Sequence, residues 1–208
     1  MKGIFISFEG SDGSGKSTQF KLFADYLRNN EFEIVLTREP GGTPISEDIR
    51  KILLDPSNTE MDPMTEVLLF AASRAQHVSQ LIKPSLEEGK IVLCDRFLDS
   101  SIAYQGYGRQ MGDCVRIINE YAVRGIMPDI TFFLDLDPDE GRKRNVAAGK
   151  KDRMELEMME FHKRVYTGYK ELAEIYKNRF VTIDASKSIE CVAEEVRSHF
   201  ERYISGKR

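Results

Sequence analysis

The stretch Gly10-Ser11-Asp12-Gly13-Ser14-Gly15-Lys16-Ser17-Thr18 carries the pattern G-x-x-x-x-G-K-[ST]. Glycines at 10, 13 and 15 let the backbone turn so that successive N–H groups face one concavity, which suits anionic oxygens. The helix that follows adds the positive end of its dipole. In such a loop Lys16 reaches the β- and γ-phosphates of a nucleoside triphosphate, and the Ser17 hydroxyl faces Mg²⁺. The context this chemistry needs is present: the apolar run Gly3–Phe8 precedes the loop, and a helical pattern, Ser17–Asn29, follows it. Asp12 is an anion inside an anion-binding loop. It either meets a second substrate's hydroxyl or the Mg²⁺, or it is a solvated loop acid.

A second group of residues could hold a phosphate acceptor. Phe70 and Arg74 at i, i+4 put an aromatic face beside a guanidinium, a pair that can stack on a base and bind its carbonyl. The competing reading is an aromatic at the core edge beside a solvated arginine, with the core stripe on Val67, Leu68, Ala71, Ala75, Val78 and Ile82. His77 shares the Phe70 face and is expected to do no chemistry. Asp95-Arg96 leaves a buried strand directly. Arg96 could grip a phosphate bidentately, while Asp95 holds Arg96 or a Mg²⁺-bound water. Ser101, Tyr104 and Gln105 fall on one helical face as a hydroxyl, a phenol and an amide, fit to read a base and sugar or simply to be solvated.

Arg142, Lys143, Arg144, Lys150, Lys151 and Arg153 lie close together after a strand. Phosphoryl transfer needs positive charge around the moving group and exclusion of water. A mobile lid at about 138–156 that carries arginines would supply both.

These residues must be positioned by elements that the pattern of apolar runs supplies. Strands are expected at Gly3–Phe8, Glu33–Thr37, Ile91–Cys94, Ile130–Leu136 and Phe180–Asp184. Between them fall helices at Ser46–Leu54 (Ser46 as N-cap), Met64–Glu88 (kinked near Pro84), Asp99–Tyr107, Cys114–Arg124, a start at Asp137-Pro138, and Glu155–Asn178; Ile189–Ile204 closes the chain. Apolar strands alternating with helices imply an α/β fold: a five-stranded parallel sheet with helices on both faces, binding ligands beyond the strands' carboxyl ends. A length of 208 residues suits one domain with an insertion.

Composition limits the partners. Thirty Lys+Arg against 34 Asp+Glu leave a net charge of −4, so no global polyanion-binding field exists and no nucleic-acid partner is expected. Cys94, Cys114 and Cys191 are odd in number and far apart, which fits a reducing, cytoplasmic setting better than a disulfide framework. No apolar stretch is long enough to span a bilayer, so no membrane partner is expected.

Phe8-Glu9-Gly10 leading into the loop, Arg38-Glu39-Pro40-Gly41-Gly42, Leu69-Phe70-Ala71-Ala72-Ser73-Arg74, Asp95-Arg96-Phe97 and Ser101-Ile102-Ala103-Tyr104-Gln105-Gly106 together resemble the thymidylate kinases, in order and spacing over essentially the whole chain. The resemblance implies a P-loop nucleoside monophosphate kinase fold and transfer of the γ-phosphoryl of MgATP to dTMP, giving dTDP and ADP, in a homodimer. It implies that Phe70 stacks on thymine, Arg74 binds its O4, and Ser101 and Gln105 help read the base. Tyr104 would lie under the sugar and disfavour a 2′-hydroxyl. Arg96 and Arg50 would hold the acceptor phosphate, Asp12 the 3′-hydroxyl or the Mg²⁺ side, with Glu39 close by. Some relatives carry a basic residue after the loop acid; here it is Gly13, which is similar to the bacterial type with lid-borne arginines. Asn145–Gly149 is uncharged where some relatives place arginines, so the resemblance leaves Arg142, Arg144 and Arg153 open for the transferred phosphoryl, with Arg144 and Arg153 preferred. A kinase for another nucleoside monophosphate or small metabolite is the near alternative. A GTP switch would need an Asn-Lys-x-Asp motif, and a motor ATPase an Asp-Glu pair at a strand end; the chain has neither.

Overall fold

The computed structural model describes residues 3–145 and 152–206, with Asn145 described by its backbone. Strands β1 (Ile4–Glu9), β2 (Ile34–Arg38), β3 (Ile91–Asp95), β4 (Ile130–Asp135) and β5 (Phe180–Asp184) form one parallel sheet in the order β2-β3-β1-β4-β5. Helices are α1 (Lys16–Asn29), α2 (Pro44–Leu54), α3 (Pro63–His77), α4 (Lys83–Glu87), α5 (Leu98–Ser101), α6 (Cys114–Val123), α7 (Pro138–Asn145), α8 (Met159–Ile175) and α9 (Ile189–Ser205).

Side-chain alternation explains why both faces are covered. Ile6 and Phe8 of β1, Leu93 of β3 and Phe132 and Leu134 of β4 pack with Phe23 and Leu27 of α1 and Val196 and Phe200 of α9. The intervening residues turn the other way: Phe5, Val92 and Cys94 meet Val78, Ile82 and Phe97, while Phe133 meets Phe161, Tyr169 and Leu172 of α8. Among the described residues no helix is long and apolar enough to cross a membrane.

Several local expectations are corrected. Thr43, not Ser46, caps α2: its hydroxyl accepts from the Ser46 N–H, and Pro44 takes the first helical position. Asp62 caps α3 in the same way, accepting from Met64 and Thr65 N–H. The single long helix to Glu88 is instead α3, a wide π-type turn at Val78–Ile82, and α4. Pro84 cannot donate to the preceding turn and its ring crowds that turn's carbonyls, so the helix widens ahead of it rather than kinking at it. Leu68 is 51% exposed and leaves the core stripe. The segment before α8 is not helical from Glu155, because the Asp152 carboxylate accepts from Met154 and Glu155 N–H and holds a turn there.

Register sets the site. Phe8 lies opposite Asp95, and the Arg96 N–H donates to the Phe8 carbonyl at 3.0 Å. The Glu39 N–H donates to the Asp95 carbonyl at 3.0 Å. Three strand ends therefore stop level, and the loops after Glu9, Arg38 and Asp95 emerge side by side.

Candidate active site

The loop between β1 and α1 is a turn only glycine tolerates. Gly13 has φ +80°, and a Cβ there would stand 2.1 Å from the Gly141 carbonyl oxygen of α7. That contact leaves no room for a side chain at position 13. Lys16 is buried and donates from Nζ to the Gly10 and Ser11 carbonyls at 3.0 and 3.2 Å. Burial, and then the Arg96 charge, pull its pKa down to about 8. The Ser11 and Ser14 hydroxyls are buried with no hydrogen-bond partner among the described residues, as expected of groups that await an anion. Around this loop lies a cleft lined by Gly13–Gln19, by Arg144, and by Lys187, Ser188 and Ile189 before and within the start of α9.

A second pocket adjoins it. Asp12, Glu39, Arg50, Phe70, Arg74, Arg96, Ser101, Tyr104 and Gln105 all line it, so the nine residues singled out for the acceptor share one chamber. Asp12 and Glu155 line both clefts, which makes the two spaces neighbours at that point.

Arg96 stands at the junction with a left-handed backbone, φ +71°, uncommon for a side chain of its size. Its Nη2 donates to Asp12 Oδ1 at 2.6 Å, and Nη1 lies within hydrogen-bond reach of the Gly10 carbonyl, Ser100 Oγ and Tyr169 OH at 3.1–3.2 Å. The Tyr104 hydroxyl donates to the other Asp12 oxygen at 3.1 Å, and the guanidinium sits 5.1 Å from the Tyr104 ring centroid. Burial alone would raise the Asp12 pKa; Arg96, then Lys16, bring it below the ordinary carboxylate value. Asp12 is therefore a fixed anion aimed at the mouth, not a solvated loop acid.

Asp95 acts on Arg96 through its charge and not through a hydrogen bond among the described residues. Its Oδ1 is buried without a hydrogen-bond partner among the described residues. The dry Asp95 oxygen on the acceptor side and the exposed Ser17 on the donor side are hard oxygen donors of the kind Mg²⁺ would take beside a nucleotide's phosphates.

Arg74 is 1% exposed, so the solvated-arginine alternative is wrong. It donates from Nε to Glu39 Oε2 at 2.7 Å, from Nη1 to Ser101 Oγ at 3.0 Å and to Asn119 Oδ1, and from Nη2 to the Phe97 carbonyl at 3.1 Å. Glu39 also meets His77 Nδ1 at 2.9 Å, and His77 Nε2 lies 2.7 Å from Thr37 Oγ1. His77 thus secures Glu39 and faces neither cleft. Ser101, Tyr104 and Gln105 are buried on α5 and the wide turn Ile102–Gly108, not a solvated face.

The basic run divides. Arg144 lines the donor cleft, its Nη1 donating to the Ala185 carbonyl at 3.1 Å. Arg153 does not: it is buried, ion-paired with Glu66 at 2.7 Å and bonded from Nε to the Leu53 carbonyl at 2.9 Å, and it lines neither cleft. Its expected place at the transferred phosphoryl is corrected to a structural anchor, because a buried carboxylate outcompetes open solvent for its charge. Lys150 and Lys151 lie outside the described residues.

Sequence reasoning missed Glu9 as a residue with a part of its own. It is fully buried at the end of β1 and accepts from Phe97 N–H at 2.8 Å, Ser100 Oγ at 2.6 Å and Tyr169 OH at 2.8 Å. Burial, then the Asp99 charge, push its pKa up from 4.5 to about 7. The unfolded chain loses this proton near 4.5 and the folded one near 7, so the stability Glu9 contributes falls as pH rises between those values. Glu9→Gln is expected to gain on wild type by roughly 3 kcal/mol across that window, at about 1.4 kcal/mol per unit. Urea unfolding of both proteins from pH 4.5 to 7.5 measures this, and a pH-independent difference would contradict it.

Comparison with known proteins agrees with this geometry. A family model described as thymidylate kinase matches residues 8–196. A thymidylate kinase of an Exiguobacterium species is 52% identical over 208 residues, spanning 99% of this chain and 98% of that protein. One from Bacillus licheniformis is 50% identical over 207 residues, spanning 98% of each. The crystal structure of thymidylate kinase from Ehrlichia chaffeensis superimposes with a TM-score of 0.78 at 38% identity, over 97% of this chain and 99% of that one. Two adjoining clefts, one around the glycine loop and one lined by Arg96, are thus carried by a sequence half identical to named relatives along its full length, and the chain belongs to the thymidylate kinase family.

Proposed function

We infer that this chain transfers the γ-phosphoryl of MgATP to dTMP, giving dTDP and ADP, a step towards dTTP. The observation that carries the reading is the junction itself: a glycine-lined anion cradle and an arginine-rich acceptor pocket share Asp12 and Glu155, with Arg96 between them.

In this reading the amides of Gly10–Thr18 wrap the donor phosphates and Lys16 carries charge to the β- and γ-oxygens. Ser17 and Asp95 would hold Mg²⁺, the latter through water; the ion supplies charge neutralisation between the phosphates. Arg96 and Arg50 hold the acceptor phosphate, and Phe70, Arg74, Ser101 and Gln105 read the base. Tyr104 lies under the sugar, Asp12 takes the 3′-hydroxyl, and Glu39 fixes Arg74. The acceptor is already a phosphate dianion, so positioning and charge stabilisation suffice without a general base. The segment around 138–156 acts as a lid over the donor, and Arg144 is its basic residue that lines the donor cleft among the described residues.

A homodimer is supported by exposed apolar residues on three neighbouring helices: Ile45 and Ile52 of α2, Leu68 of α3, Ile117 and Tyr121 of α6. Such a patch is what a self-complementary interface covers. A cytoplasmic setting is supported by the free thiols of Cys94, Cys114 and Cys191.

Incubating the purified protein with labelled MgATP and a panel of nucleoside monophosphates tests the reading. Label is expected in dTDP and to depend on dTMP. Preference for AMP or GMP, or hydrolysis without acceptor, would overturn it. Sedimentation of the same preparation as a monomer at micromolar concentration would remove the dimer.

A further inference from the structure

Glu66 takes no part in the chemistry above, yet its carboxylate is among the most heavily committed in the molecule. It sits in the first turn of α3, 1% exposed. Its Oε1 accepts from Gln105 Nε2 at 2.8 Å and from Arg109 Nε at 3.3 Å. Its Oε2 accepts from Arg109 Nη2 at 3.1 Å and is ion-paired with Arg153 at 2.7 Å. Two guanidiniums from separate segments hold it, so it stays an anion although buried: burial raises its pKa, and the hydrogen bonds from Arg109 and Gln105 lower it further.

An ionised carboxylate only accepts hydrogen bonds. The end of the Gln105 amide that meets it must be the NH₂ end. The carbonyl end, Oε1, is then directed away from Glu66; it is buried and accepts no hydrogen bond among the described residues, on a side chain that lines the acceptor pocket. In the same pocket Arg74 has committed four of its five N–H groups to protein acceptors, which leaves one Nη2 N–H. Arg74 and Gln105 together therefore offer the pocket one fixed donor and one fixed acceptor. A thymine or uracil ring presents the matching pair, a C4 carbonyl beside an N3–H. Cytosine presents the reverse, a C4 amino group beside a bare N3.

We propose that Glu66 is a specificity-determining positioning residue: by holding the Gln105 amide in one orientation it makes the acceptor pocket select a pyrimidine with an imide N–H and reject cytosine. The proposal rests on the acceptor-pocket reading given above. Without the anion at 66 the Gln105 amide could turn over and donate to cytosine's N3, which removes one of the two mismatches and leaves the Arg74 donor against the C4 amino group. A site whose polar groups are fixed rejects the mismatched partner strongly, because the wrong base leaves them buried and unpaired.

The test compares wild type with Glu66→Gln, using kcat/KM for dTMP, dUMP and dCMP with MgATP. A glutamine at 66 can donate as well as accept, so the lock is lost while volume is kept. The dTMP:dCMP ratio is expected to fall at least tenfold, and the dTMP:dUMP ratio to stay within twofold, since both carry the imide. A purely structural role would lower melting temperature and all three activities together, leaving both ratios in place, and that result overturns the proposal. Wild type that failed to phosphorylate dTMP would instead remove the function on which the proposal rests. Should Glu66→Gln not fold, wild type with ¹⁵N-labelled glutamine decides. The Gln105 side-chain amide protons are expected to stay protected from exchange with saturating dCMP as with dTMP, and loss of that protection with dCMP would show that the amide turns and the lock does not exist.

Discussion

Lys16→Ala is expected to lower kcat by a factor of about 10²–10³ while the protein remains folded. Removing one preorganised charge from the transferring phosphates costs about 3–4 kcal/mol of transition-state stabilisation. The fold should survive, because among the described residues Nζ bonds only the Gly10 and Ser11 carbonyls beside an open cleft, where water can replace it. The same lysine gives a pH signature. Its pKa in the free protein is depressed to about 8, so above that pH it arrives at ATP uncharged. The value of kcat/KM for MgATP should fall about tenfold per pH unit above 8, whereas kcat, measured with the phosphates already bound and the lysine's proton held by them, should stay flat. Steady-state kinetics with circular-dichroism melts measure both. Near-normal turnover by the variant would show that Lys16 does not face the moving phosphoryl.

Arg96→Gly should cut kcat/KM for dTMP by about 10³ and leave KM for MgATP within a few-fold. Glycine is the informative replacement, since it adopts φ +71° without strain and the loss then reports the side chain rather than the backbone. The guanidinium reaches Asp12, Gly10, Ser100 and Tyr169 at once, a fork an ammonium cannot reproduce. Arg96→Lys should therefore recover little of the lost activity. A lysine variant as active as wild type would mean that only a point charge is needed there. A glycine variant that lost ATP affinity instead would move Arg96 to the donor side.

What the sequence disclosed follows from what each signal measures. The glycine spacing around Lys16 reports backbone shape directly, so the strand, loop and helix stand where it put them, within a residue. The acceptor residues gather in one pocket because Arg38-Glu39, Asp95-Arg96 and the residues after them leave neighbouring parallel strands at one level. Contacts that depend on residues distant in sequence were not legible. Arg153 sits in a basic run that reads as one charged surface, and nothing local shows that it turns inward to Glu66. Leu68 fits the helical period of a buried stripe, yet it points outward. Period alone does not tell a core face from a face that another molecule would cover. Glu9 entered only within the motif Phe8-Glu9-Gly10 that leads into the loop; its standing comes from Ser100 and Tyr169, which only the fold brings to it.

The account depends on two anions meeting end to end at Arg96 and Asp12. Titration calorimetry with a bisubstrate ligand, adenosine and thymidine joined through their 5′-oxygens by a chain of phosphates, tests that most directly. If the clefts share one mouth, the linked ligand gains the effective concentration of a tether that matches the span, and it should bind at least a hundredfold more tightly than ATP or dTMP alone. Affinity no better than that of the tighter separate substrate would mean that the two sites do not open onto each other.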